Sequence, residues 1–170
     1  MTTNYATFNT GVGWQDTYRL EFAVRGTANG NRFVGNTNDR FFNTSPGSIE
    51  GANVYFDFAG GRIHTDGVWD VSEWYDVETY NYGFVCTPRS GGSAIVNSST
   101  SRTHSPGVTT IYIGESGLSF DFGYLRIYDN DVLVKSYLPS LDANQVACMY
   151  EEVSQQYKYP SSGTWIYHDM

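Results

Sequence analysis

Apolar and polar positions alternate with period two along much of this chain. In 17–25, Tyr18, Leu20, Phe22 and Val24 share one face, while Arg19, Glu21 and Arg25 share the other. In 52–59, Val54, Phe56 and Phe58 alternate against Asn53, Tyr55 and Asp57. Both patterns predict a strand with one face on a core and the other in water. Further strands are expected at 39–43, 74–86, 93–97, 109–114 and 118–128. The last of these changes phase. Phe120 and Phe122 lie on even positions, Leu125 and Ile127 on odd ones, and the flip falls at Gly123. A glycine at a phase flip predicts a β-bulge. Asp129-Asn130-Asp131 then predicts a hairpin turn, with Val132 and Val134 on the returning strand. The only helical stretch expected is about one turn near Glu151–Gln155.

Composition agrees with strands. The 170 residues include 14 Tyr, 10 Phe and 4 Trp but only 6 Leu and 2 Lys, and aromatic side chains suit a half-buried pleated surface. A helical bundle or a doubly wound α/β enzyme is largely excluded. The length suits one domain spanning 1–170, able to bury a core without disulfide or metal staples. Ten Lys+Arg against 18 Asp+Glu give a net charge of −8, which argues against nucleic acid and anionic membrane as partners. The first residues show neither a basic nor an apolar leader segment, so no secretory signal is expected. Cys86 and Cys148 are therefore expected as reduced, buried thiols, and without a Cys-x-x-Cys or Cys/His cluster no structural zinc site is expected.

The C-terminal third has a more specific signature. Ile127-Tyr128-Asp129-Asn130 and Leu133-Val134 form a hairpin motif, followed by Leu138-Pro139. Asn144, Val146, Met149-Tyr150-Glu151, Tyr157 and Gly163-Thr164-Trp165 follow in order. This succession resembles the end of concanavalin-A-like, laminin-G-type jelly-roll domains, which occur in phage structural proteins and in surface proteins of gut bacteria. Tyr5-Ala6-Thr7-Phe8-Asn9-Thr10-Gly11 and Gly60-Gly61-Arg62 resemble that family's opening segment and one of its strand exits. Asp131 and Gln145 stand where the family pattern has glycine. The resemblance implies an all-β, two-sheet antiparallel β-sandwich of jelly-roll, concanavalin-A-like type. It also admits a Ca²⁺ ion at the rim, for which Asp129-Asn130-Asp131 and Asp66 with Asp70 offer oxygens. No calcium-loop motif is present, and no other cofactor is expected.

Catalytic patterns are weak. Glu73-Trp74-Tyr75-Asp76-Val77-Glu78 approaches the acid-pair strand of sandwich glycosidases, but its spacing puts Asp76 and Glu78 on one face and Glu73 on the other. No nucleophile elbow exists. His64, His104 and His168 are expected in surface loops. The richest segment is 64–82, which joins acids to aromatics and contains no Lys or Arg. Asp66, Trp69, Asp70, Trp74, Tyr75, Asp76 and Glu78 are its candidate ligand-binding residues, with about half of the aromatics expected in the core because one face of any strand points inward. Together these features lead us to expect a non-enzymatic virion fibre or decoration protein, located in the virion. It would meet a surface glycan or receptor and other virion proteins, and would form a homo-oligomer with a trimer preferred. The alternatives are a purely structural assembly subunit and an acid-pair glycoside hydrolase.

Overall fold

The structure is a computed structural model that describes residues 2–26, 31–35, 40–44, 54–58, 61–65, 69–80, 83–98, 110–114 and 119–167. The described residues form strands and turns without a helix. The strands are β1 (Thr2–Gly13), β2 (Tyr18–Arg25), β3 (Asn31–Gly35), β4 (Arg40–Thr44) and β5 (Val54–Phe58). There follow β6 (Gly61–Thr65), β7 (Tyr75–Tyr80), β8 (Gly83–Pro88), β9 (Ile95–Ser98) and β10 (Thr110–Ile113). The chain closes with β11 (Ser119–Asp129), β12 (Val132–Leu141), β13 (Ala147–Glu151), β14 (Gln156–Lys158) and β15 (Ser162–Ile166).

These strands build two antiparallel sheets, a β-sandwich. One sheet runs β11-β2-β7-β8-β9, and on the other side of β11 lie β1 with β15, and the arm β12-β13-β14. The second sheet runs β6-β5-β4-β3-β10 and ends on the far half of β1, so β1 belongs to both. A single apolar cluster joins them. It takes Leu20, Phe22, Val77, Phe122, Leu125 and Ile127 from the first sheet and Val34, Ile111 and Ile113 from the second. Phe8 of the shared strand packs edge-on against Tyr137 at 5.0 Å, and the Tyr137 hydroxyl donates to the Thr10 carbonyl at 2.8 Å.

The phase flip at Gly123 is a bulge. The β2–β11 register shifts between Phe122 and Tyr124, so Phe120 and Phe122 point into the core while Tyr124 points out. The expected hairpin forms with Asn130 and Asp131 as a two-residue loop, and its exposed tip carries Val132 and Leu133. Both loop residues have positive φ, 46° and 63°, the geometry of a type I′ turn. Gln145 likewise adopts a φ of 62°. All three residues carry the steric cost that a Cβ has in the left-handed region. Segment 74–86 is two strands, β7 and β8, and 152–155 is a turn rather than a helical turn. The turn forms because the Glu151 carboxylate accepts from the Val153 and Ser154 amides at 3.0 and 2.9 Å. His64, expected in a loop, lies in β6 opposite Tyr55, whereas His104 and His168 fall outside the described residues. Both cysteines are buried free thiols, and burial pushes the Cys86 thiol well above its ordinary value.

Candidate functional site

The acidic–aromatic segment divides between the two faces of its sheet. Trp69 and Tyr75 belong to the core, at 5% and 4% exposed, and stack at 4.1 Å. The Trp69 indole donates to the Gly26 carbonyl at 3.2 Å, and the Tyr75 hydroxyl accepts from the Asp70 amide at 3.1 Å. Neither ring is available to a ligand on the outer face. Asp70 accepts from the Ser72 hydroxyl and amide at 2.7 and 2.8 Å, bonds that hold its carboxyl below the usual range and fix the turn before β7. Glu73 accepts from the Ser90 amide at 3.2 Å and ties that turn to the one after β8. Asp66 lies outside the described residues.

Trp74, Asp76 and Glu78 face outward, where neighbouring strands supply the cations that 64–82 itself lacks. Arg89 meets Asp76 through two bonds, at 3.0 and 2.8 Å, and the Tyr124 hydroxyl donates to the same carboxylate at 3.2 Å. Burial, followed by the Asp76 charge, pushes the Tyr124 phenol up to about 12, so it remains a donor. The guanidinium groups of Arg25 and Arg89 lie 5.2 and 5.3 Å from the Trp74 ring centre. Arg25 also pairs with Asp121.

Register brings in an acid that the segment does not contain. Glu21 sits directly opposite Glu78 across the β2–β7 pair. Arg19 pairs with Glu21 and stands 3.6 Å from Glu78, with its guanidinium 4.0 Å above the Tyr128 ring. The Tyr128 hydroxyl donates to Glu21 at 3.1 Å. Glu78 is pushed up from the ordinary glutamate value, chiefly by burial and then by the charges of Glu21 and Asp131, against the opposing pull of Arg19.

Between these groups is an open cavity of about 190 Å³, lined by Glu21, Asp76, Val77, Glu78, Val85, Thr87 and Tyr124. It is smaller than the ~300–1,000 Å³ pockets that take drug-sized ligands, so it admits one ring-sized unit. Two of its acids, Asp76 and Glu78, are legible in the segment itself. Glu21 and Tyr124 are legible only as members of the wet faces of other strands, and Val85 and Thr87 carry no sequence signal of their own. Among the described residues no group of three or more His, Cys, Asp or Glu side chains is placed to hold a metal ion. Asp131, one of the candidate calcium ligands, is turned toward Arg19 at 3.3 Å. Compared with known proteins, this chain matches no family model, no curated protein and no solved structure.

Proposed function

We propose that the protein is a non-catalytic, lectin-like β-sandwich that holds a glycan on the outer face of the β11-β2-β7-β8 sheet. The observation that carries this reading is the ring-sized cavity with carboxylate, phenol and hydroxyl groups on its walls and the apolar Val85 beside them. Carboxylates accept from sugar hydroxyls, Tyr124 and Thr87 both donate and accept, and an apolar patch suits the C–H face of a pyranose. Arg19 and Arg89 already engage the acids of the cavity, and Arg126 lies 5.0 Å from the Tyr124 ring centre, which favours a neutral ligand over a strongly charged one. The family-like ends fit a jelly roll carried on a virion fibre or decoration. A homo-oligomer, with the trimer preferred, would repeat this face and convert a weak contact into avidity.

A glycan array probed with the wild type and with Asp76→Asn tests the reading. We expect defined neutral glycans to be bound and the substitution to remove them. An array on which the wild type binds nothing would overturn it.

One observation favours a second reading, the acid-pair hydrolase. Directly opposed residues have Cβ atoms roughly 4.5–5.5 Å apart, which is compatible with the ~5–5.5 Å carboxyl separation of retaining glycosidases. Glu78, with its raised pKa, would be the acid and Glu21 the nucleophile. Binding is preferred because Arg19 and Tyr128 already engage Glu21, the group that would have to attack. Release of reducing sugar that Glu78→Gln abolishes would reverse this preference.

A further inference from the structure

On the outer face, a line of side chains leads across the strands to the cavity. Tyr157 on β14 is paired with Tyr150 on β13, their rings 5.4 Å apart, and Tyr150 is paired with Leu138 on β12. Leu125 and Tyr137 are paired and both point into the core, so their neighbours Tyr124 and Leu138 face the opposite side of the sheet. Tyr124 is paired with Ala23, Ala23 with Asp76, and Asp76 with Thr87. The bulge at Gly123 completes the line, since without the extra residue Tyr124 would share the inward phase of Phe122. Tyr157, at the far end, is 47% exposed.

We propose that this line is an extended groove for a neutral, unbranched glycan, whose chain crosses the strands from β14 and whose end ring occupies the cavity. The proposal rests on the glycan reading above and adds the form of the ligand and the direction in which it lies. Three physical arguments support it. From β14 to β7 there are six strands and so about 24 Å at the ~4.8 Å strand spacing, room for a chain of about five rings. The line is one side chain wide, on the order of 170 Å² when same-face neighbours lie ~6.8 Å apart along a strand. That is far less than the ~800 Å² each partner gives to a stable protein interface. Finally, the stretch of the line near the cavity, Tyr124, Ala23, Asp76 and Thr87, runs between two rows of outward side chains. Arg126, Glu21 and Glu78 lie on one side and Arg25, Trp74 and Arg89 on the other. Ring C–H groups would rest on the tyrosines and hydroxyls would reach the charged walls. A net charge of −8 on the chain further disfavours polyanionic glycans.

The test is calorimetric titration with glucose and with cello- and malto-oligosaccharides of two to six units. In at least one series, affinity should rise about tenfold or more between the disaccharide and the pentasaccharide, a gain typical of a few added contacts. Tyr150→Ala/Tyr157→Ala should lower pentasaccharide affinity about tenfold and leave the disaccharide unchanged, the size of loss expected for anchoring aromatics. Tyr157→Ala alone, at a half-exposed position, repeats the test should the double variant fail to fold. Equal affinity for short and long oligosaccharides, or a tyrosine variant that binds the pentasaccharide like the wild type, would overturn the groove and leave the cavity's glycan reading standing. No binding to either series would also overturn the groove, while the reading itself would still be judged by the array.

Discussion

Glu151 and Glu78 lie in the same sheet and are used in opposite ways. Glu151, on β13, is fully buried, and its two carboxylate oxygens accept from the Val153 and Ser154 amides and from Lys135 at 3.1 Å. Burial raises its pKa, but the bonds from Ser154 and Lys135 outweigh burial and hold it below the ordinary glutamate value. Its hydrogen-bonding capacity serves the turn that brings β14 back onto β13. Asp142 plays a similar part nearby, accepting from the Asn144 and Val146 amides and the Tyr159 hydroxyl. Glu78 is about one third exposed, touches Arg19 only at 3.6 Å, and has a raised pKa. The difference separates acids that shape the chain from acids that remain open to a ligand. The number of acids in a segment does not make that separation; the supply of local donors does.

The largest effect that would break this contrast is on stability. Glu151→Ala should destabilise the fold by about 3 kcal/mol, because it strands Lys135 and two turn amides without their acceptor. Urea denaturation measures it, and a loss comparable to that of a surface substitution would place Glu151 among the dispensable acids. The same carboxylate sets an acid limb. Its folded pKa lies below the unfolded one, so its contribution is present above the unfolded value and is lost as pH falls through the folded one. Glu151→Gln should flatten this part of the stability profile in melts across the acid range. Glu78 has the opposite sign. Its folded pKa lies above the unfolded one, so stability is gained as pH falls from the folded value toward the unfolded one, and Glu78→Gln should remove that gain.

A smaller and favourable effect is expected at Gln145. This exposed residue sits at a φ of 62°, and Gln145→Gly should raise stability by about 0.5–1 kcal/mol once relief of the left-handed strain is set against glycine's greater unfolded freedom. Unchanged or lowered stability would show that the turn pays no such cost. Smallest of all, Glu78→Gln at neutral pH should change stability by less than ~0.5 kcal/mol, as expected for one partner of a long, partly exposed ion pair.

The pattern of the chain discloses much of this and stops at a definable point. Period-two alternation locates β2 and β11, because burial on one face writes itself directly into the sequence, and the same alternation marks β5. Gly123 marks the bulge for the same reason. The arm β12–β14 is less legible, since Glu151 and Asp142 are polar residues in buried positions and their purpose depends on amides a few residues away. At the site, Asp76 and Glu78 can be placed on one face from spacing alone, and Arg19, Glu21 and Arg25 on the wet face of β2. That Glu21 meets Glu78 and Ala23 meets Asp76 is a matter of register between strands 50 residues or more apart in sequence, which a single sequence does not encode locally. Trp69 and Trp74 show the remaining limit. They are five residues apart, and only the turn at Asp70–Glu73 decides that one stacks in the core while the other stands outside between two arginines.

The most direct test of the account is a map of backbone amide shifts on ¹⁵N-labelled protein titrated with cellopentaose and maltopentaose. The account predicts saturable shifts at Glu21, Asp76, Glu78, Thr87 and Tyr124, continuing to Tyr150 and Tyr157, with Glu151 and Asp142 unmoved. Shifts confined to the 142–146 turn or the 130–131 hairpin tip, or no shift with either pentasaccharide, would contradict it.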